Sequence, residues 1–381
     1  MKITSLLHWK PWLAGVLIAC LTACASFPPR EVISPVATPQ AQALRPVLDP
    51  ATGEYTLTLS ALTYNVAGLP WPRRTGTGAA IRRIEDAWAE EFTQPPDIVL
   101  LQEAFVASAA RLPQRLGYAN MVRGPTRRFR AERLTGPPSA EFRQGRRLMK
   151  GERLGRVVGS GLMLATQLPI GEIVRHPFGK GACAGYDCLA NKGVLLVQID
   201  IPELPEPLFI LNTHLNSRGS AGVSEERSLY AYRRQLDEIA ALLERDWRGR
   251  GPLIWVGDFN ARGALDRFTA KDARMPGDLA HRYCADHEGC CRIAMSWDND
   301  APWLDTQDLQ GFADGLQVRV RPVAIAARFD RPRDGRMLSD HDGLEVTWEL
   351  RWPATSLAGK AERVPASATG RRASPASCGR V

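Results

Sequence analysis

Asparagine, glutamate, histidine and aspartate recur in five short polar motifs, each beside an apolar run: TYNVAG at 63–68, LLQE at 100–103, NTHL at 212–215, GDFN at 257–260 and LSDHDG at 338–343. Carboxylate and amide oxygens of this kind suit a hard divalent cation. A histidine beside an acid can titrate near neutral pH and take a proton from water. Taken singly, each motif has a plain structural alternative. Glu103 could be a surface acid and His214 a core histidine bonded to a neighbouring backbone group. GDFN could be a turn in which Gly257 lets the backbone bend closely, and LSDHDG a solvated loop. Five in a fixed order, separated by the lengths of strand–helix units, point instead to one metal-hydrolytic site.

The elements that must position these residues are visible around them. Tyr55 to Val66 alternates apolar and polar residues as a half-buried strand does. Ala79 to Phe92 places Ile81, Ile84, Trp88 and Phe92 at helical spacing, and Pro95-Pro96 ends that segment. Asp97 to Gln102, Gly161 to Thr166, Gly193 to Ile201, Leu208 to Leu215, Pro252 to Gly257 and Leu344 to Leu350 read as further strands. Ser224 is a candidate N-cap for a helix whose stripe is Leu229, Tyr232, Leu236, Ile239 and Leu243. Runs such as LLQ, FILN and LIWV suggest strands covered on both faces. The expected fold is therefore an α/β sandwich of two mixed sheets flanked by helices. Its motifs should gather at one edge, each at or just after the carboxyl end of its strand.

The ends of the chain carry a different message. Lys2 and Lys10 flank a short apolar stretch, Trp12 to Leu21, and Leu21-Thr22-Ala23-Cys24 resembles a bacterial lipobox. Residues 1–23 are expected to be a lipoprotein signal peptide, with Cys24 lipidated; an ordinary secretory signal is the alternative. Its removal lowers the net charge from +8 to +6. Residues 24–54 are expected to be a tether, 55–352 one catalytic domain and 353–381 a disordered tail. An exported chain can form disulfides, and Cys183 with Cys188, and Cys284 with Cys290 or Cys291, are the local candidates. His281, Cys284, His287 and Cys290 could instead form a soft-metal site. The expected location is the bacterial cell envelope, at the outer membrane through the lipid anchor.

With the five motifs in order, the chain resembles the endonuclease/exonuclease/phosphatase superfamily over roughly residues 55–350. That resemblance implies a four-layer α/β sandwich and metal-dependent hydrolysis of phosphate esters with Mg²⁺, Mn²⁺ or another divalent ion. It implies Glu103 as direct metal ligand, with Asn65 and Asp340 beside the ion and Asn65 also near the substrate. His214 and Asn260 would hold the phosphate, Asp258 would orient or polarise the attacking water, and His341 would act as base or phosphate ligand. An acid supporting the histidine would be Asp305 or Asp308 in WLDTQDLQGF, with Asp308 preferred because the following Gln and Phe resemble lipid-acting members. No serine or cysteine nucleophile and no covalent intermediate are implied.

Three features bear on the ester. Ala67 stands two residues after Asn65, where many nucleases of the superfamily carry an acid. DCLANKGV at 187–194 resembles a segment of neutral sphingomyelinases, so Lys192 is a candidate contact to the substrate phosphate. A lipid anchor at Cys24 would hold the enzyme against phospholipid. Opposing these is a stretch at 111–156 with twelve Arg and one Lys against three Glu. It could bind nucleic-acid backbones or an anionic membrane surface equally well. The expectation is a monomeric, sphingomyelinase-like phosphodiesterase, with a lipid-anchored nuclease as the enzymatic alternative. An inactive surface-binding relative is disfavoured because Glu103, Asp258 and His341 are all present.

Overall fold

The computed structural model describes residues 28–34, 44–130, 132–294 and 306–355. The leader, Cys24, Asp305, Cys378 and residues 356–381 lie outside the described residues. Among those described, the strands are β1 (Arg30–Val32), β2 (Val47–Asp49), β3 (Glu54–Asn65), β4 (Ile98–Gln102), β5 (Asn120–Arg123), β6 (Met163–Thr166) and β7 (Ile170–Pro177). They continue with β8 (Gly193–Ile199), β9 (Leu208–His214), β10 (Leu253–Asp258), β11 (Asp278–Leu279), β12 (Arg292–Ala294), β13 (Asp308–Ala313), β14 (Arg319–Arg328) and β15 (Gly343–Pro353). One sheet runs β1-β7-β8-β9-β10-β13-β11; the other runs β12-β14-β15-β3-β4-β6-β5, with β2 also on β3. Two three-residue pieces of the expected tether thus pair with sheet strands, β1 on β7 and β2 on β3.

Side-chain parity builds the layers. In β3, Leu57, Leu59 and Ala61 enter the core between the sheets, whereas Leu62 and Tyr64 face outward. In β10, Ile254 and Val256 face inward and Leu253 and Trp255 outward. The helix Thr77–Glu91 lays Ile81, Ile84 and Trp88 on the outer face of the second sheet. The helix Glu225–Leu242 lays Tyr232, Leu236 and Ile239 on the outer face of the first. Ser224 caps that helix by accepting from the Arg227 N–H. The result is the expected four-layer sandwich of two mixed sheets flanked by helices.

Two of the strands that the sequence pattern does not show escape it for identifiable physical reasons. β14 contains Pro322, and its ladder with β15 shifts register between Pro322 and Ala324. β7 buries Arg175 and His176, which look exposed in sequence. Arg175 donates to the Arg123 and Pro28 carbonyls and pairs with Glu31, and His176 lies 3.2 Å from Glu238. Disulfides join Cys183 to Cys188 and Cys284 to Cys291. The second removes Cys284 as a thiolate, so the soft-metal alternative does not form.

Candidate active site

Each sheet has a parallel pair at its centre, with a helix between its strands: β3 with β4, and β9 with β10. Parallel strands finish at the same end of a sheet. Asn65 therefore lies opposite Gln102, just before Glu103, and Asp258 lies opposite His214. The last strand residues on the inner parity, Asn65, Gln102, Asn212, His214 and Asp258, face the space between the sheets. The expectation that every motif follows a strand's carboxyl end fails for LSDHDG, and the supporting acid Asp308 likewise stands at a strand's start. Asp308 is the first residue of β13, opposite Asp258, and His341 precedes β15. Both strands are antiparallel to a central neighbour, so they start at the edge where that neighbour ends.

The backbone at this edge is forced. Ala67, Glu103 and Asn260 have φ of 47°, 55° and 49°, in the left-handed region that non-glycine residues rarely occupy. Such strain persists where the surroundings over-determine it and often marks functional positions. Gly257 has φ 145°, and a Cβ there would lie 2.0 Å from the Thr213 carbonyl oxygen. Only glycine lets β10 approach β9 so closely before Asp258.

The acid–base group centres on His341. Its Nδ1 lies 2.6 Å from Asp308 Oδ2, and its Nε2 lies 3.8 Å from Asp258 Oδ2. Burial works against a charged ring, but the carboxylates of Asp308 and then Asp258 outweigh it and push the His341 pKa up to about 10. Asn65 Nδ2 donates to Asp258 Oδ2 at 3.1 Å, and its Oδ1 accepts from the Ala67 N–H at 3.0 Å. The other oxygen of Asp258 accepts from the Asn260 N–H at 2.9 Å. Asn260 Nδ2 in turn donates to the Leu215 carbonyl. Asp258 is thus fixed from both sides, with one oxygen turned to His341.

His214 is buried beside this group. The Lys192 ammonium lies 3.0 Å from its Nε2, and Asp258 Oδ2 is 3.3 Å from the same atom. Burial and then the Lys192 charge lower the His214 pKa to about 3, so the ring is neutral. With Nε2 accepting from Lys192, the ring proton resides on Nδ1, which is buried and has no hydrogen-bond partner among the described residues. Lys192 also reaches the Leu215 carbonyl and Asp187 Oδ1, each at 2.8 Å. These three partners use all three of its protons. Lys192, expected as a contact to the substrate phosphate, stands in the structure as a charge behind His214.

Glu103 is the counterpart on the other side. No hydrogen bond is made by its carboxylate among the described residues. Burial raises its pKa to about 7, with Lys192 and His341 opposing and Asp258 and Asp340 adding to the rise. A desolvated carboxylate without a partner is costly unless a cation neutralises it, and its oxygens suit Mg²⁺ or Mn²⁺. Asp340 is exposed on the loop before β15 and adds negative charge there. Asp258, Asp308 and His341 also have ligand atoms within 4.8 Å of one another. Asp308 and His341 already satisfy each other, however, so an ion at that group would have to displace a proton. Glu103 fits a divalent cation better.

Residues 62–341 match the Endonuclease/Exonuclease/phosphatase family. The chain belongs to this family. Solved structures share its fold at low identity. A beta toxin of Staphylococcus aureus is 16% identical with TM-score 0.55, covering 76% of this chain and 99% of the toxin. Another structure of that toxin holds bound magnesium ions. Sphingomyelinase C from Streptomyces griseocarneus is 19% identical with TM-score 0.51, covering 76% of this chain and 99% of its own. D. rerio TDP2 complexed with a single-strand DNA product is 18% identical with TM-score 0.51, covering 76% and 98%. No curated protein matches the chain in sequence.

Within this family member, several further residues serve the site, some inside the five motifs but given no role from sequence and others, Gln307 and Gln310, outside them. Gln307 places its amide nitrogen 3.2 Å from His341 Nε2, and only its nearness to Asp308 could have flagged it. Ser339 donates to the Asn65 carbonyl at 2.7 Å, tying the loop of His341 to the end of β3. Beneath the site, Gln102 donates to Asn212 Oδ1 at 2.8 Å, and Gln310 donates to the Ala61 and Leu344 carbonyls across the sheets. Parity along the strands would have found these three, because each is a polar residue on the inner face.

Proposed function

We propose that the chain is a divalent-metal-dependent phosphoric diester hydrolase that cleaves a phospholipid between lipid and head group, in the manner of a sphingomyelinase. The observation that carries this reading is the His341–Asp308 pair aimed at a fixed Asp258, across from an uncompensated Glu103. A divalent ion held by Glu103, with Asp340 and the Asn65 amide oxygen beside it, would neutralise the phosphate and stabilise charge on its oxygens in the transition state. Asp258 orients a water for attack on phosphorus. Asp258 takes the proton of that water, and the His341 ring, protonated on both nitrogens, donates from Nε2 to a phosphate oxygen while Asp308 holds its Nδ1 proton. The Nδ1–H of His214 and the side chain of Asn260 would donate to phosphate oxygens.

The lipid reading rests on Ala67 in place of an acid, on the DCLANKGV segment and on the Cys24 anchor. We place the mature protein, from Cys24, at the outer membrane, with residues 55–352 as its catalytic unit and the monomer as its working form. The basic stretch 111–156 suits a nucleic-acid backbone as well as an anionic membrane, and it keeps a second reading, a nuclease, in view. Hydrolysis of sphingomyelin, other choline phospholipids and plasmid DNA by the full chain with Mg²⁺, compared side by side, tests the choice. Turnover of the lipids with little DNA cutting is expected. Robust DNA cutting without lipid turnover would replace the lipid reading with the nuclease.

A further inference from the structure

The basic stretch contains an apolar feature that its composition hides. Leu148, Met149, Leu154 and Val157 are 51%, 85%, 61% and 55% exposed, and Tyr186 beside them is 44% exposed. They stand on one tight loop. Its buried anchor is Glu152, which accepts from the Arg147 N–H at 2.5 Å, the Gly185 N–H at 3.1 Å and Arg227 Nε at 2.7 Å. Because the one acid of the loop is spent inward, the apolar side chains are turned out. They are not a frayed segment.

Several cations around them make no ion pair among the described residues. Arg147 and Arg153 are exposed, and among the described residues neither they nor Lys150 makes an ion pair. Lys150 instead sits 5.5 Å over the Tyr186 ring. Arg127 and Arg128, also exposed and without an ion pair among the described residues, lie on the strand of chain that passes Gly159. Apolar side chains ringed by unpaired cations match an anionic lipid surface, where the apolar groups enter the interface and the cations meet phosphate. A nucleic acid would be met by stacking aromatics, and Tyr186 is the single ring in the patch.

The loop also adjoins the active site. Val157 N–H donates to the Leu189 carbonyl at 2.7 Å, and a Cβ on Gly151 would touch the Leu189 side chain. Leu189 lies in the turn that runs from Asp187 to Lys192, the pair set behind His214. We infer that the loop 147–157 and Tyr186 form a docking face for an anionic bilayer, beside the mouth of the site. This inference rests on the phospholipid reading of that site.

The test uses the full chain carrying Cys24→Ser, so that no acyl anchor contributes. Cosedimentation is measured on phosphatidylcholine vesicles with and without about a third phosphatidylglycerol. Three variants are compared with it: Leu148→Ser/Met149→Ser/Leu154→Ser, Arg147→Gln/Lys150→Gln/Arg153→Gln, and Leu316→Ser. Leu316 is 80% exposed in the turn after β13, at the far end from the site, and serves as the control. Each triple variant should weaken binding to the anionic vesicles by roughly tenfold or more, and the control should not. Turnover of a monomeric short-chain phospholipid should be unchanged in all three, which separates docking from catalysis. Equal vesicle binding by all variants overturns the inference, as does loss of DNA binding with vesicle binding intact. Absence of turnover in every form, with the vesicle result as expected, would instead count against the catalytic reading.

Discussion

β3 and β4, joined through the helix Thr77–Glu91, end in Asn65 and Glu103; β9 and β10, joined through Glu225–Leu242, end in His214 and Asp258. The two strand–helix–strand halves are built alike and face each other across one core. Their polar ends are finished differently. In the second half, Asp258 is held by Asn65 and Asn260, and His214 by Lys192. In the first half, the Glu103 carboxylate makes no hydrogen bond among the described residues and stands on a strained backbone. The fold thus supplies position twice, and the side-chain contacts differ: under the proposed function the second half would act on water and phosphate, and the first would hold a cation.

The largest effects should come from breaking the fixed half. His341→Ala should lower turnover by about 10²–10⁴-fold, and Asp258→Asn by about 10²–10³-fold, each with unchanged thermal unfolding. Lys192→Met sharpens the point, since it leaves Asp187 without its cation. Asp187 keeps its bonds from Ser217 at 2.6 and 2.7 Å. The loss should therefore fall near the low end for a broken buried pair, about 3 kcal/mol, read by denaturant unfolding. On the open half, Glu103→Gln should raise the Mg²⁺ concentration for half-maximal rate by at least about tenfold, since losing a mere supporting partner of a ligand can cost that much.

The effect farthest from catalysis is in the pH dependence of stability. His214 and His281 are buried and neutral, each with its pKa lowered to about 3 by burial and then by a nearby lysine. Below about 6.5 the unfolded chain protonates these rings while the native state does not. Stability should therefore fall as pH drops from about 6.5 toward 3, each ring contributing on the order of 1 kcal/mol per pH unit. His281→Gln should flatten that slope in pH-dependent unfolding, with the site untouched. An unchanged slope would mean that His281 is not held neutral.

Much of this was readable in the residues. The apolar runs before Asn65, Glu103, His214 and Asp258 show that each ends a buried strand, and Ser224 announced its helix. What the sequence concealed lay in contacts between distant segments. Nothing near Lys192 in the chain shows that its protons are already used, because Leu215 and His214 arrive from the next strand. The Asp308 pairing with His341 depends on β13 entering antiparallel, and β14, which leads toward the loop of His341, was masked by Pro322. The loop at 147–157 reads as a charged insertion until Glu152 is seen to be buried beneath it.

The division between the halves is tested most directly by the rate of phosphodiester hydrolysis as a function of Mg²⁺ for the unaltered chain, Glu103→Gln and Asp258→Asn. The account predicts no turnover in EDTA, a shifted metal requirement with substantial recovery at high Mg²⁺ for Glu103→Gln, and a lowered plateau at unshifted Mg²⁺ for Asp258→Asn. Turnover that survives EDTA, or a metal shift that follows Asp258 instead of Glu103, would contradict it.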